Sequence, residues 1–275
     1  QTNIKNYIML KFKKPTSKNI KYLENFFIKK GLKILVDQSK KKEPTVNQMR
    51  QDEPAMPELD DLYNLYQYIL INKRTTVLEF GSGWSTLIFS LVLRELRNKF
   101  SNEVKLLRRN NPFELFVIEN EKKYLNITRN RIQKFNKYLK INDPIKINYH
   151  LTDVEMSTFN DRICTQYKKL PLCNPDFIYL DGPSQFNVKK DINGINTRHK
   201  DMMPMVSDIL KLEHFYTPGT IIVCDGRAAN AKFLRDNFQR NWKYLSDKKS
   251  DQHIFYLDDP ILGKYNELQI KFYNH

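Results

Sequence analysis

The sequence predicts an α/β fold with a mostly parallel seven-stranded sheet that ends in an antiparallel hairpin, plus an N-terminal helical extension. Three observations predict it. Short apolar segments alternate with amphipathic helical patterns over most of the 275 residues. The first of these segments, residues 77–80, runs directly into a glycine turn. Three later segments end in a carboxylate, and ligands of open α/β sheets bind at the carboxyl ends of strands.

The glycine turn, residues 81–83, lies between the first strand and a helix predicted from Trp84 to about Leu96. Gly81 and Gly83 carry no Cβ, so the backbone can turn tightly and approach a ligand closely. The start of the helix presents unpaired N–H groups and the positive end of its dipole. This corner therefore predicts a site for a nucleotide-like ligand.

Residues around the turn narrow the class of ligand. A dinucleotide fingerprint requires a third glycine where this chain has Thr86, and no P-loop Gly-Lys-Ser/Thr occurs. Glu79 would repel a phosphate but would pair with an ammonium group. Residues 79–86 therefore resemble the first motif of class I S-adenosylmethionine (SAM) dependent methyltransferases. The resemblance implies a Rossmann-like three-layer sandwich and SAM as the cofactor, bound by Glu79, Gly81, Ser82, Gly83, Ser85 and Thr86.

Later strands carry the remaining cofactor contacts. Residues 114–119 form an apolar strand whose last residue, Glu119, can accept hydrogen bonds from ribose hydroxyls. The resemblance implies that Asp153, after an alternating strand at 145–150, lies near the adenine amino group, and that Asp181 also contacts the cofactor. Two buried strands follow at 176–183 and 220–226, then a hairpin at 242–245 and 253–257. The resemblance covers about residues 77–257.

Helices and loops outside the strands give the domain division. Residues 17–30 are predicted as a helix that is capped by Thr16 or Ser17 and stopped by Gly31. The proline-bearing run 39–57 predicts a loop, and residues 97–111 a basic insertion. We therefore divide the chain into an N-terminal extension and loop (1–57) and a SAM-dependent methyltransferase domain (58–275). Further helices are predicted at 58–73, at 121–140 and near 206–215.

Catalytic candidates follow from the chemistry of methyl transfer to a hydroxyl, which needs a positioned acceptor and a group that removes its proton. The predicted catalytic residues are Asp181 and His199, the latter in a predicted loop at 189–201. Asp181 and Asp225 end adjacent strands, and the resemblance to catechol-type O-methyltransferases would make them magnesium ligands. Gly226 stands where that family has an asparagine ligand, so a divalent metal is not favoured. Asp181 would then cap the following turn and order the methionine end of the cofactor.

Composition limits the partners. The formal net charge of +15 fits either a nucleic-acid partner or lysines solvated over the whole surface, and no arginine-rich or aromatic patch favours the first. No apolar run is long enough to predict a membrane span. The lack of a charged-then-apolar leader favours a cytoplasmic protein, and the three cysteines, without metal spacing, fit reduced thiols. The sequence does not predict an oligomeric state.

Three functional hypotheses remain open. The first is a SAM-dependent methyltransferase that methylates a hydroxyl of a small molecule or a carbohydrate. The second is an RNA methyltransferase, which is favoured if the basic insertion forms a continuous rim with the N-terminus. The third is a non-catalytic adenosyl-binding module. The Asp-Gly-Pro-Ser sequence at 181–184 differs from the signature that DNA and protein-glutamine N-methyltransferases carry after the fourth strand.

Overall fold

The computed structural model describes residues 8–45 and 54–275. In chain order the helices are α1 (Ile20–Lys29), α2 (Lys33–Ser39), α3 (Leu59–Asn72), α4 (Trp84–Val104), α5 (Lys122–Tyr138), α6 (Asp208–Lys211), α7 (Ala228–Asn237) and α8 (Lys264–Asn274). The strands are β1 (Thr76–Phe80), β2 (Glu114–Glu119), β3 (Ile147–Leu151), β4 (Val154–Phe159), β5 (Arg162–Tyr167), β6 (Phe177–Leu180), β7 (Val188–Lys189), β8 (Ile221–Asp225), β9 (Trp242–Asp247) and β10 (Gln252–Leu257).

Seven of these strands form one sheet in the order β3-β2-β1-β6-β8-β10-β9. Every neighbouring pair is parallel except the two that involve β10, which is antiparallel to both β8 and β9. The predicted fold class, including the terminal hairpin, is therefore confirmed. Successive strands run outward from β1 in both directions, so the order reverses between β1 and β6, where open α/β sheets bind ligands.

Two buried clusters lie on opposite faces of the sheet, because side chains alternate along each strand. In β1, Val77 faces one cluster while Leu78 and Phe80 face the other. The first cluster is completed by α1 to α5 and α8. The second is completed by α6, α7 and the smaller sheet β5-β4-β7. The result is the predicted three-layer sandwich.

The N-terminal extension packs on the same core as the rest of the chain. Leu23 and Phe27 of α1 are buried in the first cluster. The Lys30 ammonium donates to the Tyr66 hydroxyl at 2.9 Å and contacts the Glu95 carboxylate at 2.6 Å. These contacts fix α1 against α3 and α4. The division at residue 57 stays a prediction, and within the loop predicted at 39–57, residues 46–53 lie outside the described residues.

Several local predictions were wrong. The helix after the glycine turn continues to Val104, so the first part of the predicted 97–111 insertion is helical. Asn19, and neither Thr16 nor Ser17, caps α1, since its side chain accepts the Tyr22 N–H at 2.9 Å. The β4–β5 hairpin was not predicted. Its sequence does contain a signal, since Asn160 and Asp161 form a two-residue turn in which both residues adopt positive φ. The short α2 and the C-terminal α8 were also missed.

Within the described residues, no helix is long and apolar enough to cross a bilayer.

Candidate active site

The glycine turn brings the tips of β1 and β6 into direct contact. Gly81 has φ +103°, which favours glycine, and its N–H donates to the Ile118 carbonyl at 2.8 Å. A Cβ on Gly182 would come within 2.7 Å of both the Gly81 nitrogen and the Tyr167 hydroxyl oxygen. A Cβ on Gly83 would meet nothing within 4 Å. The turn is therefore packed against the chain after β6 at Gly81 and is open at Gly83, which leaves space for a ligand there.

Glu79 lies buried beneath this turn. Its side chain is fully inaccessible to solvent, and the Ser85 hydroxyl donates to Oε1 at 2.5 Å. The other oxygen, Oε2, has no hydrogen-bond partner. Burial raises the pKa of Glu79 to about 8; the negative charges of Asp181 and Glu119 add to this rise, and Ser85 and Thr86 oppose it. A carboxyl group in this setting gains from a nearby cation, which would stabilise its ionised form.

Glu119 ends β2 beside the same turn. The Ser82 hydroxyl donates to its Oε2 at 2.7 Å, and the backbone N–H groups of Asn120 and Glu121 donate to Oε1 at 2.8 and 2.9 Å. Burial raises its pKa to about 7 despite these bonds. The local chain therefore fixes Glu119 in one orientation at the carboxyl edge of the sheet, next to β1.

Asp153 lies exposed between β3 and β4, on the wall of an open cleft of about 690 Å³. The cleft borders the tip of β2 and also contains three lysines. Its lining residues are Asn120, Glu121, Lys122, Leu151, Thr152, Asp153, Lys168, Lys169 and Asn187. The predicted cofactor residues Glu79, Glu119 and Asp153 thus lie at or just beyond the carboxyl ends of the adjacent strands β1, β2 and β3.

Asp181 and Asp225 lie on the other side of the turn, after β6 and at the end of β8. The Asp181 side chain keeps 54% of its surface exposed, with the Arg227 Nε 3.8 Å from its Oδ1. The Tyr179 hydroxyl donates to Asp225 Oδ2 at 2.6 Å. Burial raises the pKa of Asp225 to about 7, and the charge of Asp181 adds to the rise. Burial also raises the pKa of Asp181, and Arg227 opposes that rise. Asp225 can therefore accept a proton near neutral pH.

These residues do not fit the magnesium site of catechol-type enzymes. Gly226 offers no side-chain oxygen, and Asp225 already accepts a hydrogen bond from Tyr179. The Arg227 guanidinium, beside Asp181, would repel a metal ion from that carboxylate. We therefore derive no catalytic step through a metal at Asp181 and Asp225.

His199 lies exposed in the loop after β7. Its Nδ1 accepts the Asp201 backbone N–H at 3.3 Å, which leaves Nε2 as the ring nitrogen that could face an acceptor. The loop is held by Gln185, whose side-chain amide donates to the carbonyls of His199 and Met202 at 2.9 Å each. The catalytic role of His199 stays a prediction.

Sequence reasoning missed Tyr167 at the base of the site. This tyrosine at the end of β5 is almost completely buried, and its hydroxyl has no hydrogen-bond partner where it approaches Gly182. Its ring lies 5.3 Å from that of Phe80. The only available signal was the alternation of β4 and β5, which would have placed Tyr167 at the end of a hairpin strand.

The chain is similar in structure to several known proteins, at low sequence identity. No protein-family model matches the chain, and no curated protein matches it in sequence. An O-methyltransferase from Bacillus cereus in complex with SAH is similar in structure, with 12% identity, a TM-score of 0.40 and coverage of 87% of this chain and 96% of that chain. A proposed caffeoyl-CoA O-methyltransferase from Staphylococcus aureus has 11% identity and a TM-score of 0.43, covering 87% and 98%. A methyltransferase from Geobacter sulfurreducens has 7% identity and a TM-score of 0.36, covering 89% and 92%. Because all three TM-scores lie below 0.5, the functional assignment rests on this chain's own topology and side chains.

Proposed function

We propose that this protein is a SAM-dependent methyltransferase that methylates a hydroxyl group of a small molecule or a carbohydrate. The observation that carries the proposal is the pair formed by Glu79 and the glycine turn. A fully buried carboxyl group with one unpaired oxygen lies under a loop that is open on its upper side. Burial without a partner favours the neutral acid, so the site gains most from a ligand with a cationic amino group, such as the methionine part of SAM.

The surrounding residues fit the rest of the same cofactor. Glu119 lies next to Glu79 at the strand ends and holds two oxygens in a fixed orientation, as needed to accept hydrogen bonds from ribose hydroxyls. Asp153 borders the open cleft beyond β2, which has room for a base. Glu79 and Glu119, beside the glycine turn, disfavour a pyrophosphate at that position, which supports SAM over NAD or ATP. When bound, SAM supplies a methyl group activated by a sulfonium.

The protein's part in the reaction is to position the acceptor and to take its proton. We propose Asp181 as the residue that faces the acceptor, since its carboxylate is exposed at the tip of β6 while Arg227 lies against it. Asp225, with a pKa near 7, could take up the proton from there. His199 is the alternative base if the loop after β7 closes over the acceptor. The two assignments differ in which substitution stops turnover.

The position of the basic insertion disfavours RNA as the acceptor. Arg109 donates to the Asn174 carbonyl at 2.9 Å and lies 3.7 Å from Asp176, which precedes β6. Arg97 pairs with Asp143 at 3.0 Å. These arginines are therefore bound at or near the amino ends of the strands, on the opposite edge of the sheet from the glycine turn. A non-catalytic adenosyl-binding module is distinguished from the enzyme by turnover alone.

Calorimetric titration with S-adenosylhomocysteine, NAD and ATP tests the cofactor class. We expect micromolar binding of S-adenosylhomocysteine alone. Glu119→Gln should weaken this binding roughly tenfold to a hundredfold, because it removes a charged acceptor from the ribose. Glu114→Gln is the matched control, since Glu114 begins the same strand, pairs with Lys146 at 3.1 Å and lies at the opposite edge. A preference for NAD or ATP, or equal effects of both substitutions, would contradict the proposal.

Turnover is tested once binding is established. A panel of hydroxyl-bearing small molecules and sugars, with radiolabelled SAM, should identify acceptors that the wild-type protein methylates. Asp181→Asn and His199→Gln should then be compared under the same conditions. Loss of turnover with intact cofactor binding in one variant identifies the proton acceptor. Undiminished turnover in both variants would show that neither residue is catalytic.

A further inference from the structure

A second group of carboxylates lies at the start of α3, apart from the glycine turn. One carboxylate oxygen from each of Glu58, Asp60 and Asp61 lies within 4.8 Å of the other two. Acidic residues in a first helical turn are favoured by the helix dipole, which accounts for one or two of them but not for their convergence. None of the ion pairs within the described residues involves any of the three. Within the part of the chain that the structure describes, no lysine or arginine therefore relieves their mutual repulsion.

A separate observation at β10 indicates what the group could bind. Gln252 is fully buried, and its side-chain N–H donates to the Asp61 backbone carbonyl at 3.4 Å. Its oxygen, Oε1, has no hydrogen-bond partner, and neither has Oδ1 of Asp61, a residue that is only 8% exposed. The opposite orientation of the Gln252 amide would place its oxygen against the Asp61 carbonyl oxygen, so that two acceptors would face each other. The amide nitrogen therefore faces the Asp61 carbonyl.

Two neighbouring buried side chains thus leave oxygen acceptors unpaired beside a group of carboxylates. A buried acceptor without a donor is unfavourable, so native proteins generally supply it with a partner. Carboxylate and amide oxygens are the ligands that Ca²⁺ and Mg²⁺ prefer, and Ca²⁺ accepts several carboxylates in irregular geometry. We propose that Glu58, Asp60, Asp61 and Gln252 bind a hard divalent cation that joins the start of α3 to the start of β10.

This cation site differs from the magnesium site of catechol-type enzymes. It uses neither Asp181 nor position 226, and its ligands come from α3 and β10. Gln252 pairs with Asp225 across the β8–β10 ladder, so the site borders the acceptor side of the crevice. A bound cation would fix α3 as one wall of that crevice. The proposal does not depend on methyl transfer, because binding is measured directly.

The test is calorimetric titration of the chelator-treated full chain with Ca²⁺ and, separately, with Mg²⁺ at constant ionic strength. We expect saturable binding of one ion per chain and a higher melting temperature in its presence. Asp61→Asn should weaken the binding at least tenfold, and Gln252→Met, which removes only the amide, should weaken it severalfold. Asp181→Asn should bind as the wild type does.

Three results would overturn the proposal. The first is no saturable binding of either ion. The second is unchanged binding in Asp61→Asn and in Asp60→Asn; the second variant alters a half-buried residue and decides the matter if Asp61→Asn does not fold. The third is loss of binding in Asp181→Asn with retention in Asp61→Asn, which would move the cation to the catechol-type position.

Discussion

The two edges of the main sheet each contain a fully buried carboxylate, Asp176 and Glu79, and their surroundings differ. Asp176, before β6 at the amino edge, accepts the backbone N–H groups of Thr75 and Thr76 at 2.8 to 3.0 Å. It also accepts the hydroxyls of Thr75 and Tyr273 at 3.0 and 2.8 Å. Glu79, at the carboxyl edge, accepts one bond from Ser85 and leaves one oxygen unpaired.

The difference separates a carboxylate whose donors all lie within the protein from one that we propose to bind the amino group of the cofactor. Both oxygens of Asp176 have donors within the chain, so its charge joins β1, β6 and α8. Glu79 remains short of donors, and its pKa rises to about 8 because burial disfavours the charge. A buried acid with unmet hydrogen-bonding capacity at a ligand-binding edge is typical of a functional site. Substitutions at the two positions should therefore affect different properties.

The largest effect is expected for Asp176→Ala. The substitution leaves two backbone N–H groups and two hydroxyls without their acceptor inside the protein, so the free energy of unfolding should fall by about 3 to 5 kcal/mol. Urea denaturation at pH 7 measures this loss. The folded fraction should still bind S-adenosylhomocysteine with wild-type affinity. If affinity and stability fell together at low urea, Asp176 would not be purely structural.

The difference between these two acids also shows how far the sequence predicts the molecule. Glu79 was predicted because its partners, the glycine turn and Ser85, lie within six residues of it. The apolar runs around it placed β1 and β2, and the predicted and observed bounds of β2 agree. Asp176 was assigned only as the start of a strand, because its donors lie about a hundred residues away. Sequence patterns report local geometry and miss partners that the fold brings together.

The same reason explains what was missed at the acceptor side. In the sequence, Asp61 is one of several acids at the start of the helix predicted at 58–73, and nothing nearby connects it with Gln252. The contact between them arises because α3 lies against the start of β10. Tyr167 likewise reaches Gly182 only through the second sheet. By contrast, the β4–β5 hairpin could have been predicted from its Asn160-Asp161 turn.

The second prediction concerns the pH dependence of stability through Glu79, measured without ligand. Its pKa rises from an ordinary value of 4.5 to about 8 on folding, so the folded state holds the proton more tightly. Stability from this group is therefore complete below about pH 4.5 and is lost as the pH rises through 8. Glu79→Gln removes the loss, so the variant should gain on the order of 4 kcal/mol relative to the wild type between pH 5 and pH 9.

Denaturation of both proteins across that pH range measures the difference, which cancels the titration of Glu119 and Asp225. A constant difference from pH 5 to pH 9 would show that Glu79 is ionised in the folded protein throughout. The proposed ligand contact has the opposite sign, because a cationic amino group favours the ionised form. Wild-type affinity for S-adenosylhomocysteine should therefore rise from pH 6 to pH 8, and Glu79→Gln should reduce this rise to the part that comes from Glu119.

The smallest expected effects come from removing one donor at each edge. Ser85→Ala removes the hydroxyl that donates to Glu79, and Tyr273→Phe removes one of four donor groups around Asp176. Each should lower stability by about 1 kcal/mol, the usual net value of such a bond. Only Ser85→Ala should also move the Glu79 titration to higher pH, because the Ser85 bond stabilises the ionised form. The same upward movement in Tyr273→Phe would mean that the two edges are coupled, and the assignment of one acid to structure and the other to ligand binding would fail.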